Sequence, residues 1–163
     1  MTTSASTLIT HWRSQNLRIA PGNTEERVRD FESRNGVILP PDFRDYFLTV
    51  DGMAQIGGHD CDPIGFAFWP LRRIRSVTEE CTAQKIEPPA NSELEKYFVF
   101  ADYLQWSWAY AIDLGTPAAG TNRVIHVGTL RPNFVADSFT HFVTLYLHDA
   151  PELYPSAGAD SNR

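Results

Sequence analysis

The strongest constraint on the fold lies in residues 97–114, YFVFADYLQWSWAYAIDL. From Leu104 onward, large aromatic and apolar residues alternate with smaller or polar ones, which is the period of a half-buried strand. Leu104, Trp106, Trp108, Tyr110, Ile112 and Leu114 share one parity; Gln105, Ser107, Ala109, Ala111 and Asp113 share the other. The spacing predicts a hairpin, 97–102 and 106–114, with Asp102 to Gln105 near its turn. A sheet face carrying six large side chains must be covered by other elements. The small face is expected to stay open, so that something large can approach Ser107 and Ala109. Trp106, nearest the turn, is the tryptophan expected to contact a partner, because tryptophan is enriched at interface hot spots.

The rest of the chain supplies the cover. Leu8, Ile9 and Trp12 fall at helical spacing and predict a short helix around 5–16. Asn23 or Thr24 can cap a second helix, whose first turn is acidic through Glu25 and Glu26 and whose stripe is Val28 and Phe31. Asn35-Gly36 ends it. Pro40 forces Leu39 to be extended, Pro41 suits a first helical position, and Phe43, Tyr46, Phe47 and Val50 make one face of a third helix. Asp51-Gly52 stops that helix.

After a loop over 53–63, IGFAFWPL reads as a strand and RRIRSVTEECTAQKI as a helix with a charged outer face. EPPANSELEK reads as a surface loop and RVIHVG (123–128) as a third strand. Asp137 or Ser138 can cap a closing helix with Phe139, Phe142, Val143 and Tyr146 inward and Thr140, His141, Thr144 and His148 outward. Helices first, strands in the middle and a helix last predict a single α+β domain. In it, a curved antiparallel sheet packs against an N-terminal helix pair and a C-terminal helix. The expected boundaries are an extension over 1–20, the domain over 21–150 and a flexible tail over 151–163.

Charge narrows the partners. Fourteen Lys and Arg against twenty Asp and Glu leave a net charge of −6. An acidic surface repels phosphate backbones and anionic lipid, which argues against nucleic-acid and membrane binding and permits a basic protein partner. No stretch approaches the roughly 20 apolar residues of a membrane span. The N-terminus lacks the basic and apolar regions of a signal peptide, so a cytoplasmic protein is expected. Cys61 and Cys81 lack paired spacing and read as two buried thiols.

Chemical motifs are sparse. HDCD (59–62) offers an imidazole, a thiolate and two carboxylates, but four adjacent residues cannot all face one ion, and no second cluster completes a site. His141 and His148 lie two helical turns apart, about 10.5 Å along the axis, too far to share a metal. The sequences of acyl-transfer, phosphate-binding, dinucleotide and zinc-protease sites are absent. No cofactor, metal or catalytic residue is expected, although scattered Ser, His and Asp could still converge in space.

FESRNGVILPPDFRDYFLTVDGM resembles the opening motif of the SUKH superfamily: a helix ending near Gly36, then Leu39-Pro40, then a helix ending at Asp51-Gly52. FVFADYLQWSWAYAIDL resembles that family's central hairpin, and VADSFTHFVTLYL its closing helix. The resemblance implies an α+β fold and a non-catalytic protein-binding module. Many bacterial members are immunity proteins that neutralise a co-encoded toxin domain, often a nuclease; a fungal regulator of cell-wall synthesis belongs to the same superfamily. On that reading the partner is a basic toxin domain and the protein a monomer or weak homodimer. Asp60, Asp62, Glu79 and Asp102 are expected to stand in for phosphates, with Trp106 and Ser107 beside them. The alternatives are a regulatory or scaffolding module unconnected with toxins, and an enzyme with a dispersed active site.

Overall fold

A computed structural model describes residues 2–54, 61–90, 92–115, 122–129 and 132–155. Helix α1 (Ser4–Ser14) starts at Thr3, whose hydroxyl accepts from the Ser6 N–H. Strand β1 (Ile19–Pro21) follows, then α2 (Glu25–Asn35), capped by Thr24 and closed by Gly36 at φ +62°. Asn23, the other cap candidate, bonds Phe47 O and Asp51 instead. Helix α3 (Pro41–Thr49) runs straight into β2 (Val50–Met53), which pairs antiparallel with β1 as a separate two-stranded sheet.

Next come β3 (Phe66–Phe68), a 3-10 turn (Leu71–Arg73), β4 (Arg75–Ser76) and α4 (Val77–Ala83). The hairpin β5 (Tyr97–Tyr103) and β6 (Trp108–Asp113) forms the centre, followed by β7 (Val124–Val127), β8 (Phe134–Ala136) and α5 (Phe139–Leu147). The main sheet is antiparallel in the order β3-β5-β6-β7-β8, with β4 also on β5. A bulge at Val99–Ala101 bends β5.

One face of the sheet takes α1, α2, α3 and α5. Phe100 meets Phe43, Phe139 and Phe142; Phe68 meets Trp12, Phe142 and Tyr146; Phe98 meets Phe31. Tyr110, Ile112 and Leu114 are buried, with Tyr110 against Phe142. Helix α1 belongs to this core: Leu8 and Trp12 are fully buried, and the Trp12 indole donates to Tyr146 Oη at 3.1 Å.

The second face is not open. Ala109 and Ala111 are fully buried, and on their side lie Trp69, Trp106 and the inner residues of α4, Val77, Glu80 and Cys81. Small residues on the strand let these groups come close. Residues 151–155, expected to be free, form a 3-10 turn (Pro151–Leu153) whose Leu153 is buried. The Leu153 carbonyl accepts from Tyr110 Oη and from the His126 ring, both at 2.7 Å. Cys81 is buried and its thiol pKa raised by burial and then by Glu80; Cys61, expected to be buried, is exposed.

Candidate partner-binding site

The hairpin end differs from its expected form. Tyr103 pairs with Trp108, so Trp106 sits in the connection rather than in the strand. Leu104, Gln105 and Trp106 all have positive φ, at +46°, +52° and +70°. A left-handed conformation costs a non-glycine residue about 1–3 kcal/mol, and here three are consecutive. Surrounding bonds hold them. Leu104 N donates to Gly65 O and Ser107 N to Tyr103 O, both at 2.9 Å; Trp106 N donates to Asp102 Oδ1 at 3.1 Å. Ser107, exposed as expected, donates its hydroxyl to Leu104 O.

This turn sorts the row of large residues into different environments. Leu104 is 53% exposed. Trp106 crosses to the second face, where its indole donates to Glu80 Oε1 at 2.9 Å and its ring lies over Gly128; a Cβ there would fall 2.7 Å from Trp106 Cζ3. Trp108 is half-buried, stacked on Tyr103 at 4.5 Å with Tyr154 edge-on at 6.3 Å. Its indole donates to Tyr110 Oη. Leu104, Gln105 and Ser107 are exposed at this end of the hairpin, where Tyr103, Trp106 and Trp108 are half-buried.

Two expected partner carboxylates face inward. Asp62 is 3% exposed: its Oδ1 accepts from the N–H groups of Ile64, Gly65 and Phe66 at 2.8–3.0 Å, and Tyr146 donates its hydroxyl to Oδ2. Burial, then the Asp62 charge, pushes the Tyr146 pKa up. Asp102, 5% exposed, accepts from the Trp69 indole at 2.6 Å and from Trp106 N. Neither can serve as a surface phosphate mimic, because their lone pairs satisfy buried donors. Glu79 is exposed and closes a capping box with Ser76 at the start of α4. Asp60 lies outside the described residues, as do His59 and the rest of 55–60.

Glu80 was missed by the sequence reading. It is fully buried and accepts from Trp106, from Gln84 and from Arg75 Nε at 2.5 Å. Its place in the 3.6-residue repeat with Val77 and Cys81 was the available signal. Arg73, also missed, stacks its guanidinium 3.8 Å above the Trp69 ring. Burial lowers the Arg73 pKa, and Asp102 and Glu80 pull it back up. Among the described residues no group of three or more His, Cys, Asp or Glu could hold a metal ion, and no helix is long and apolar enough to cross a membrane.

The α+β topology and the helix–Leu-Pro–helix opening now coincide with a family. Residues 22–145 match the SMI1 / KNR4 family (SUKH-1). The chain belongs to that family. No curated protein matches it. The matched stretch starts after α1 and β1 and runs into α5, so it contains β2, the whole main sheet and the hairpin end. In this SUKH-1 chain α1 lies outside the match yet packs between α3 and α5.

Proposed function

We propose that this chain is a non-catalytic protein-binding module of the immunity kind, which neutralises a bacterial toxin domain by gripping it with the β5–β6 hairpin end. Family membership supports a role in protein contacts. The observation that carries the assignment to this place is the run of three left-handed non-glycine residues at 104–106. Such strain persists only where its surroundings enforce it, and it concentrates at functional positions. Here its effect is to turn Leu104 and Gln105 outward beside a half-exposed aromatic stack, a mixture typical of hot-spot surfaces. The carboxylates and the histidine that could have served acid-base chemistry are instead occupied: Asp62, Glu80, Asp102 and His126 all hold structural hydrogen bonds. Glu79 and Asp60 are the carboxylates assigned to a basic stretch of the toxin surface.

The test is co-expression with the C-terminal domain of a secreted toxin encoded beside this gene, read as growth. The wild-type chain restores growth. Leu104→Asn should fail to restore it while folding normally, because asparagine tolerates a left-handed conformation and only the apolar contact is lost. A melting temperature within about 3 °C of wild type, for a ΔΔG within about 1 kcal/mol, establishes normal folding. No rescue by the wild-type chain would reject the immunity reading, and full rescue by Leu104→Asn would remove the hairpin end from it.

A further inference from the structure

The sequence PLRRIR (70–75) mixes three apolar with three cationic residues, and the structure uses the mixture to build a positively charged recess. Pro70, Leu71 and Ile74 are buried and fix the segment. Leu71 N donates to Asp51 Oδ1 at 2.7 Å, and Ile74 N to Leu71 O at 3.1 Å. With those residues inward, Arg72, Arg73 and Arg75 line a pocket of about 370 Å³ together with Pro70 and Ile74. That volume is at the small end of ligand sites.

The three guanidiniums are held differently. Arg73 is fixed by Trp69, which is itself anchored through its indole on Asp102. Arg75 is fixed through Nε on Glu80. Arg72 is exposed and forms no ion pair among the described residues. Asp102, through Trp69, and Glu80 thus orient two of the pocket's three arginines. Glu79, whose carboxylate is turned to Ser76, is the other acid nearby on α4. A planar guanidinium already held in place loses little entropy when it takes a carboxylate in a two-pronged bond.

Resting on the protein-binding reading above, we propose that this pocket takes a single carboxylate side chain from the protein partner. The site is linked to the hairpin end through Glu80, which bonds both Arg75 and Trp106, so one partner can engage both. An extended polyanion such as a nucleic acid is disfavoured because the chain as a whole carries −6, whereas a single carboxylate senses mainly the local cations. The chain thus brings an acidic surface together with one basic recess, which suits a basic partner carrying an isolated acidic contact.

The experiment titrates the full chain with a blocked hexapeptide carrying one Glu among alanines, followed by amide and indole NMR shifts. A lysine hexapeptide and a six-nucleotide DNA strand are run in parallel. The expected result is saturable shifts at residues 70–76 and at the Trp69 indole from the acidic peptide, weakened at least tenfold by Arg72→Glu. Arg72 is exposed and makes no ion pair among the described residues, so its change leaves the fold intact. Arg73→Lys keeps the charge, loses the planar stack and should weaken binding as well, while Arg29→Glu on α2 should not. Absence of those shifts, an equal loss from Arg29→Glu, or tighter binding of the DNA strand would overturn the proposal. Growth rescue by wild type and by Arg72→Glu alike, with a silent peptide titration, removes the pocket but leaves the immunity reading standing.

Discussion

At the scale of single residues, burial separates carboxylates that look alike in sequence. Asp62 stands in a loop-like stretch two positions after another aspartate, and so reads as a solvated acid. In the structure it ends the loop, satisfying three backbone N–H groups and a buried tyrosine hydroxyl. Asp62-Pro63-Ile64-Gly65 carried a signal for this, since aspartate followed by proline and glycine commonly folds back on its own backbone. Asp102 offered no such signal, because its partner Trp69 is 33 residues away. Charge reversal at Asp62 would therefore report on folding and not on partner affinity. Asp62→Ala strips acceptors from buried donors and should cost about 3 kcal/mol, a fall in melting temperature of about 6–12 °C. Thermal unfolding checks this, and a change within 2 °C would mean that the carboxylate is dispensable. Trp106 shows the same limit of local reading: its parity was legible, but the left-handed turn that carries it to Glu80 depends on bonds to Gly65, Tyr103 and Asp102.

At the scale of elements, local pattern served best where one helix or strand decides its own form. Thr24, Gly36, Ser138 and the Pro40-Pro41 step set helix ends through contacts within a few residues, and the sequence shows them. Strands β1, β2 and β8 were not legible, because three or four residues become a strand only when a distant partner supplies the ladder. Helix α4 was visible as a helix, but its position on the second face was not; small residues at 109 and 111 read as an open surface and in fact admit a covering layer. The two glycines of the family motif illustrate the difference between local and tertiary demand. Gly36 and Gly52 have φ of +62° and +70°, yet a Cβ on Gly36 meets nothing within 4 Å, whereas one on Gly52 falls 2.7 Å from Phe68 O and Trp69 C. Gly36→Ala should cost only the backbone term, about 1 kcal/mol. Gly52→Ala must also displace the chain between β3 and the arginine segment, and should cost about 3 kcal/mol or more. Urea denaturation of the two variants checks the order; equal losses would show that the close approach at Gly52 relaxes without cost.

At the scale of the whole molecule, the chain's last described turn is fastened to the central sheet by a group that titrates. A carbonyl can only accept, so the His126 nitrogen 2.7 Å from Leu153 O must carry the hydrogen. The other ring nitrogen, Nδ1, is buried without a partner among the described residues, and Tyr110, 5.4 Å away between ring centres, donates its own hydroxyl to the same carbonyl. A second proton on the ring would be a charge that none of the described residues meets. Burial accordingly lowers the His126 pKa below its ordinary 6.5, with the Leu153 bond opposing in part. Below pH 6.5 the unfolded chain takes up a proton that the folded chain refuses. Unfolding therefore becomes easier as pH falls from 6.5 toward the folded pKa, by up to about 1.4 kcal/mol per pH unit. Above 6.5 both states are neutral and the effect vanishes. His126→Gln keeps an N–H donor for Leu153 O and cannot titrate, so its stability should fall less steeply between pH 6.5 and 5.5. The other four histidines, His11, His59, His141 and His148, are common to both proteins and cancel in the comparison. Urea midpoints at pH 7.5, 6.5 and 5.5 decide it: parallel slopes would mean that His126 accepts the proton freely in the folded state. A steeper wild-type slope would show that the 151–155 turn is secured to β6 and β7 through a neutral imidazole, and loosens as that imidazole is driven to charge.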